Sequence, residues 1–146
     1  MKCKLLNEGT QTTWMLVFDT DEEPAAGLLH FAREKELSAS QFTAIGAFRE
    51  VELGYFDIEK REYEKILINE QVEVLSLVGD ITLGEHGPKV HAHAVLGKRD
   101  GRAWGGHLLK AKVRPTLEVV ITESPAHLRR KHDARSGLAL IDPDLH

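Results

Sequence analysis

His91 and His93 flank a single alanine, and a third histidine closes the run Gly105-Gly106-His107. Side chains alternate along a strand, so His91 and His93 share one face of any strand that carries them. Arg99-Asp100-Gly101, between the two groups, is a turn signal. A three-residue hairpin loop, with a type I turn and Gly101 in the left-handed bulge position, would pair Lys98 with Arg102. Counting back along that ladder sets His93 opposite His107 and Gly105 opposite Val95. Cross-strand partners on one face have Cβ atoms about 4.5–5.5 Å apart, so three imidazoles would converge on one patch. Three neutral histidines can hold a metal ion and leave one position open. Imidazole suits zinc, copper, iron and nickel, with zinc the first expectation. The plain alternative is three half-buried histidines bonded to backbone or water.

The register decides between these outcomes. A two-residue loop on Asp100-Gly101 would set Ala94 opposite His107, and a one-residue slip turns a strand's faces over. A bulge at Gly105-Gly106 would also reset the count. A bound zinc would acidify its water towards a pKa of about 7. Hydrolysis would then need a general acid or base nearby. Glu73, Glu85 and Glu118 are the candidate carboxylates, and Glu118 could also orient a ligand histidine from behind. Glu73 and Glu118 equally suit the polar face of their strands. His86, in the Gly84–Pro88 stretch, suits an exposed loop, and His30 a helix surface. No Ser-His-Asp or Cys-His pattern and no phosphate-cradling glycine loop is present.

The elements that would position these residues are mostly strands. Thr12–Phe18 places Trp14, Leu16 and Phe18 on one face. Acidic residues and Pro24 then suit a helix start, and apolar spacing predicts a helix over Pro24–Glu36. Strands follow at Gln41–Ile45 and Ala47–Phe56, with a bulge or bend at Gly46. Tyr63–Ile68 and Val72–Leu83 come next, the latter broken at Gly79-Asp80. Val90–Leu96 and Arg102–Val113 form the histidine hairpin, and Pro115 opens a last strand, Thr116–Thr122. Arg129-Arg130-Lys131 reads as a solvated basic run, and Gly137–Ile141 as a short apolar segment able to dock on the core or on a neighbouring subunit. Adjacent strands with short turns and one early helix indicate an α+β fold: a mainly antiparallel sheet with one principal helix packed on it.

The 146 residues, 42% of them hydrophobic, fit one globular domain spanning 1–146 with its core at about 12–123. Cys3 is the only cysteine, so no internal disulfide forms and a reducing cytoplasm is expected. No stretch approaches the roughly 20 apolar residues of a membrane span. The formal net charge of −4 gives no whole-molecule attraction to nucleic acid.

Gly79-Asp80-Ile81, His91-Ala-His-Ala-Val-Leu and Gly105-Gly106-His107-Leu108-Leu109 together resemble the plants-and-prokaryotes-conserved (PPC) domain. Ile45-Gly46-Ala47 and Leu53-Gly54-Tyr55 also suit that family's first half. The resemblance runs from roughly Thr12 to Glu123. It implies a mainly antiparallel sheet with a packed helix, assembly as a homotrimer, and a metal on three histidines matching His91, His93 and His107. In plants the domain is joined to AT-hook DNA-binding motifs and contacts nuclear proteins, while stand-alone prokaryotic members often carry a DNA-binding label. This chain has no Arg-Gly-Arg-Pro hook core. The plant Gly-Arg-Phe-Glu-Ile-Leu stretch falls on Glu70–Leu75, which keeps Glu73 and Leu75. The expected function is a homotrimeric metal-binding regulatory or DNA-associated module, with DNA or a regulatory protein as partner. The alternative is a zinc-dependent hydrolase or lyase acting on a small molecule at the three-histidine site.

Overall fold

The computed structural model describes residues 1–145. Its elements in chain order are β1 (Lys2–Asn7), β2 (Thr12–Asp19), α1 (Pro24–Glu34), β3 (Ala39–Asp57), β4 (Glu62–Ile68), β5 (Val72–Gly84), β6 (Gly87–Gly97), β7 (Ala103–Glu123), β8 (Arg129–His132) and β9 (Ala139–Asp142). All the strands belong to one sheet, paired antiparallel except for a parallel bridge between Leu83 and Arg129. The fold is α+β and mainly sheet. β3 pairs with β5, β5 with β6, β6 with the start of β7, and β7 with β3, so these four strands form a closed circuit. That closure removes edges from the strands that carry the histidines.

Helix α1 packs against β6 and β7. The Glu23 carboxylate accepts from the amides of Ala25 and Ala26, and Pro24 opens the first turn. Leu28, Phe31 and Ala32 form its buried stripe and join Leu16, Phe18, Leu96, Leu117 and Ile121 in the core. The helix stops two residues short of the expected Glu36. There the Leu37 amide donates to Ala32 O at 2.9 Å and Glu36 adopts φ +55°, a left-handed stop that satisfies the last carbonyls.

Along β6, Ala92, Ala94 and Leu96 are buried beneath the helix, whereas His91, His93 and Val95 face away from it. The strand therefore anchors itself with small and branched apolar residues and offers its histidines on the other face. Gly46 sits at the expected register shift against β5. Two expectations are corrected. The break at Gly79-Asp80 does not occur: Gly79 stays in ladder between Phe42 and Ala92. Pro115 does not open a new strand either, because β7 runs through it. It falls between the pairs Gly46–Leu117 and Phe48–Val113, where the ladder is irregular and its missing amide goes unneeded. Among the described residues, no helix is long and apolar enough to cross a membrane.

Candidate metal centre

The β6–β7 turn fixes the site. The Lys98 amide donates to Arg102 O at 2.8 Å, the Gly101 amide donates to Lys98 O at 2.9 Å, and Gly101 has φ +83°. This is the three-residue loop, and only glycine meets its left-handed position without strain. It sets His93 opposite His107 and Val95 opposite Gly105. His107 also lies opposite Gly54 of β3, whose missing side chain leaves room for Tyr63 to stack on the His107 ring at 4.8 Å between centroids.

The three imidazoles meet. Their ring centroids lie 5.0, 5.1 and 5.3 Å apart, and each offers a nitrogen within 4.8 Å of the others. His91 Nε2 and His93 Nε2 are 3.1 Å apart. Two nitrogens about 2.0–2.1 Å from one zinc at the tetrahedral angle would lie about 3.3 Å apart, so this spacing fits a shared ion. Among the described residues, His107 Nδ1 is the one buried side-chain polar atom without a hydrogen-bond partner. Such orphans are rare unless something is to bind there.

Burial favours the neutral form of two of the three rings. Burial, followed by the charges of His91, His93 and Lys89, lowers the His107 pKa to about 4. Burial and His91 lower that of His93. Neutral imidazole is the form a metal requires. Behind His91 stands Asp80, with Oδ2 3.4 Å from His91 Nδ1 and Oδ1 2.5 Å from Arg130 Nη2. Burial alone would raise the Asp80 pKa, but hydrogen bonding to His91 and Arg130 outweighs it and holds the carboxyl below its ordinary value. A carboxylate beside Nδ1 favours the tautomer that leaves Nε2 free to bind.

The candidate carboxylates lie elsewhere. Glu73 is exposed on β5 between Ala47 and Gly97, ahead of the β5 bulge. Glu118 is exposed on β7 between Ile45 and Val17. Counted through β5 and β3, that part of β7 is three strands from β6, ~14 Å at ordinary strand spacing. Both line a groove with Ile45 and Pro115, away from the histidines. Glu85 and His86 form the two-residue loop between β5 and β6, both exposed, and His30 is exposed on α1.

Asp80, Tyr63 and Arg130 are the neighbours that residue spacing does not single out. Arg130 falls in a run that reads as solvated, yet its side chain is only 7% exposed. Its guanidinium donates to Asp80, to Thr82 Oγ1 at 2.7 Å and to Ala139 O at 3.0 Å. These bonds carry the β8–β9 hairpin back onto β5 and place Leu138, Ala139 and Leu140 beside His91 and His107. The signal for Asp80 is its alternation with Val78 on the histidine face; Arg130 has no comparable local signal. His127 is tied to the buried Ser38 hydroxyl at 2.7 Å, which Glu123 also holds, so this trio anchors the end of β7.

The family model for the Plants and Prokaryotes Conserved (PCC) domain matches residues 6–125. A solved structure of a metal-containing protein from Archaeoglobus fulgidus is 36% identical, with a TM-score of 0.82 over 88% of this chain and 91% of its own. A plant- and prokaryote-conserved (PPC) protein from Pyrococcus horikoshii is 29% identical, with a TM-score of 0.84 over 97% and 94%. A protein from Bacteroides thetaiotaomicron whose name proposes DNA binding is 25% identical, with a TM-score of 0.86 over 96% of each chain. Among curated proteins, the bifunctional protein GlmU of Synechococcus sp. (strain JA-3-3Ab) is 31% identical over 113 residues, or 75% of this chain; the chain spans 17% of that protein's length.

Proposed function

Because the chain belongs to the Plants and Prokaryotes Conserved (PCC) domain family, we propose that it is a single-domain, homotrimeric regulatory module holding a divalent metal, zinc first, on His91, His93 and His107. The observation that carries this reading is the approach of three imidazole nitrogens to within 4.8 Å, with His91 and His93 nitrogens 3.1 Å apart. The metal-containing relative from Archaeoglobus fulgidus supports it. Asp80 orients His91, and burial favours the neutral form of His93 and His107. A lone exposed cysteine, Cys3, suits the reducing cytoplasm. Association with DNA rests on the names of relatives such as the Bacteroides protein. With a net charge of −4, contact through a protein partner fits better than whole-molecule attraction to the duplex.

A second reading, a zinc-dependent hydrolase or lyase, is favoured by the cavity of about 190 Å³ beside His91 and His107. Zinc bound there would supply an acidified water. The nearest carboxylate, Asp80, is already engaged by Arg130.

Elemental analysis of untagged protein tests the central reading. Zinc is expected at close to one ion per chain, and His93→Ala should lose it. His93 is exposed, so the variant should stay folded and trimeric. Undiminished zinc in the variant would show that the histidines are not its ligands.

A further inference from the structure

Two of the three histidines border a cavity that ion binding alone does not use. It measures about 190 Å³ and is lined by His91 and His107 together with Tyr63, Leu138, Ala139 and Leu140. An apolar cavity of about 150 Å³ holds benzene, so this one suits a molecule of roughly six to eight non-hydrogen atoms. Two cationic side chains reach it, and they differ. Arg130 is consumed by Asp80, Thr82 and Ala139, and it holds the apolar wall in place. Lys89 is exposed and makes no ion pair among the described residues. No acidic residue lines the cavity among the described residues. An unpaired positive charge and hydrocarbon lining the same cavity suit a small anion with an apolar body.

We propose that this cavity is the receptor site for a short-chain monocarboxylate of about four to six carbons. Its carboxylate pairs with Lys89 and faces the ion on the histidines; its chain lies against Tyr63, Leu138 and Leu140. This rests on the metal reading above and supplies the ligand to which the module responds. Leu138 and Leu140 belong to the β8–β9 hairpin, which lies beyond the 6–125 span of the family match. The chain-length preference is therefore carried by a segment outside the matched domain. A bound chain would brace this hairpin against β6.

The test is calorimetric titration of the zinc-loaded 146-residue chain with acetate, butanoate, hexanoate and octanoate, with hexanamide as the uncharged control. Zinc content is measured on the same samples. Each buried CH₂ contributes roughly fourfold in affinity. Hexanoate should bind at least tenfold tighter than acetate, octanoate no tighter than hexanoate, and hexanamide at least tenfold weaker than hexanoate. Lys89→Gln should weaken hexanoate about tenfold with zinc content unchanged, and Leu138→Asp should erase the chain-length preference. If the protein carries zinc but binds all four acids alike, or none, the metal reading stands and the carboxylate site is wrong. The carboxylate site is equally wrong if Leu138→Asp keeps the preference. If the protein takes up neither zinc nor another divalent metal, the metal reading fails and takes the metal-linked site with it.

Discussion

His107 is the most strongly perturbed histidine of the cluster, its pKa lowered to about 4 by burial and then by its charged neighbours. An exposed histidine in the unfolded chain titrates near 6.5. Between these values the unfolded state binds more protons than the native state, so stability rises with pH across that window and falls on acidification. The lowered pKa of His93 acts in the same direction. Asp80, also lowered, adds a contribution that is present above the ordinary carboxyl pKa and lost at lower pH still. Urea unfolding of chelator-treated protein should therefore show a midpoint that is level above about pH 7 and declines towards pH 4.5. A midpoint unchanged over that range would mean that His107 is not shielded. Asp80 bears on metal binding directly. Asp80→Asn keeps the shape but loses the charge beside His91 Nδ1, and such changes typically cost about 10–100-fold in affinity. Competition with a chromophoric chelator measures this; an unchanged zinc affinity would leave Asp80 as an anchor for Arg130 only. The three histidines are legible in the sequence because alternation and one turn relate them. Asp80 and Arg130 do not read as a pair, since fifty residues separate them and no periodicity links them.

The hairpin of β6 and β7 shows why some elements can be read from a sequence and others cannot. Its loop carries a glycine where the three-residue turn needs a left-handed residue, and its strands alternate on a period of two, so once that turn forms the register follows. Strand β2 and helix α1 are likewise marked by apolar periodicity and a proline start. β1 is not, because all six of its residues are exposed and nothing patterns them. The β8–β9 hairpin is hidden for a related reason: a buried arginine attaches it, and arginine ordinarily marks solvent. Gly79 misleads in the opposite direction. It reads as a strand breaker, yet it is a point of close approach, where a Cβ would run into the His91 carbonyl oxygen and the Phe42 ring. Gly79→Ala must therefore push β6 or Phe42 aside. A destabilisation of about 1–3 kcal/mol is expected, the usual cost of overpacking. It should appear as a lowered urea midpoint with an unchanged m-value. A variant as stable as the parent would mean that β5 and β6 leave room for a methyl group at this point.

At the scale of the whole molecule, the sheet leaves apolar side chains in water. Val78 and Val120 both pair across to Thr43, from opposite sides, and Ile45 is two residues further along the same face of β3. Their exposures are 48%, 37% and 61%. With Thr43 between the two valines they put three exposed apolar side chains on one face over three strands, a surface that a partner could cover. A second and third copy of the chain would cover it, in keeping with the proposed trimer, and cyclic symmetry would place one metal centre in every subunit. The composition could not indicate this surface, because valine and isoleucine in a strand read the same whether a helix or another subunit covers them. Ile45→Lys separates assembly from folding. The side chain is exposed in the isolated chain, and Glu118 lies directly opposite to receive the new ammonium, so the monomer itself should tolerate the change. Within an assembled apolar interface the same lysine would be buried and costly. Sedimentation should give the parent a mass close to three copies of the 16.3 kDa chain. The variant should sediment as a single copy with the parent's circular dichroism. A parent that sediments as one copy would leave this surface without its proposed cover. A variant that remains a trimer would move the contact to another face.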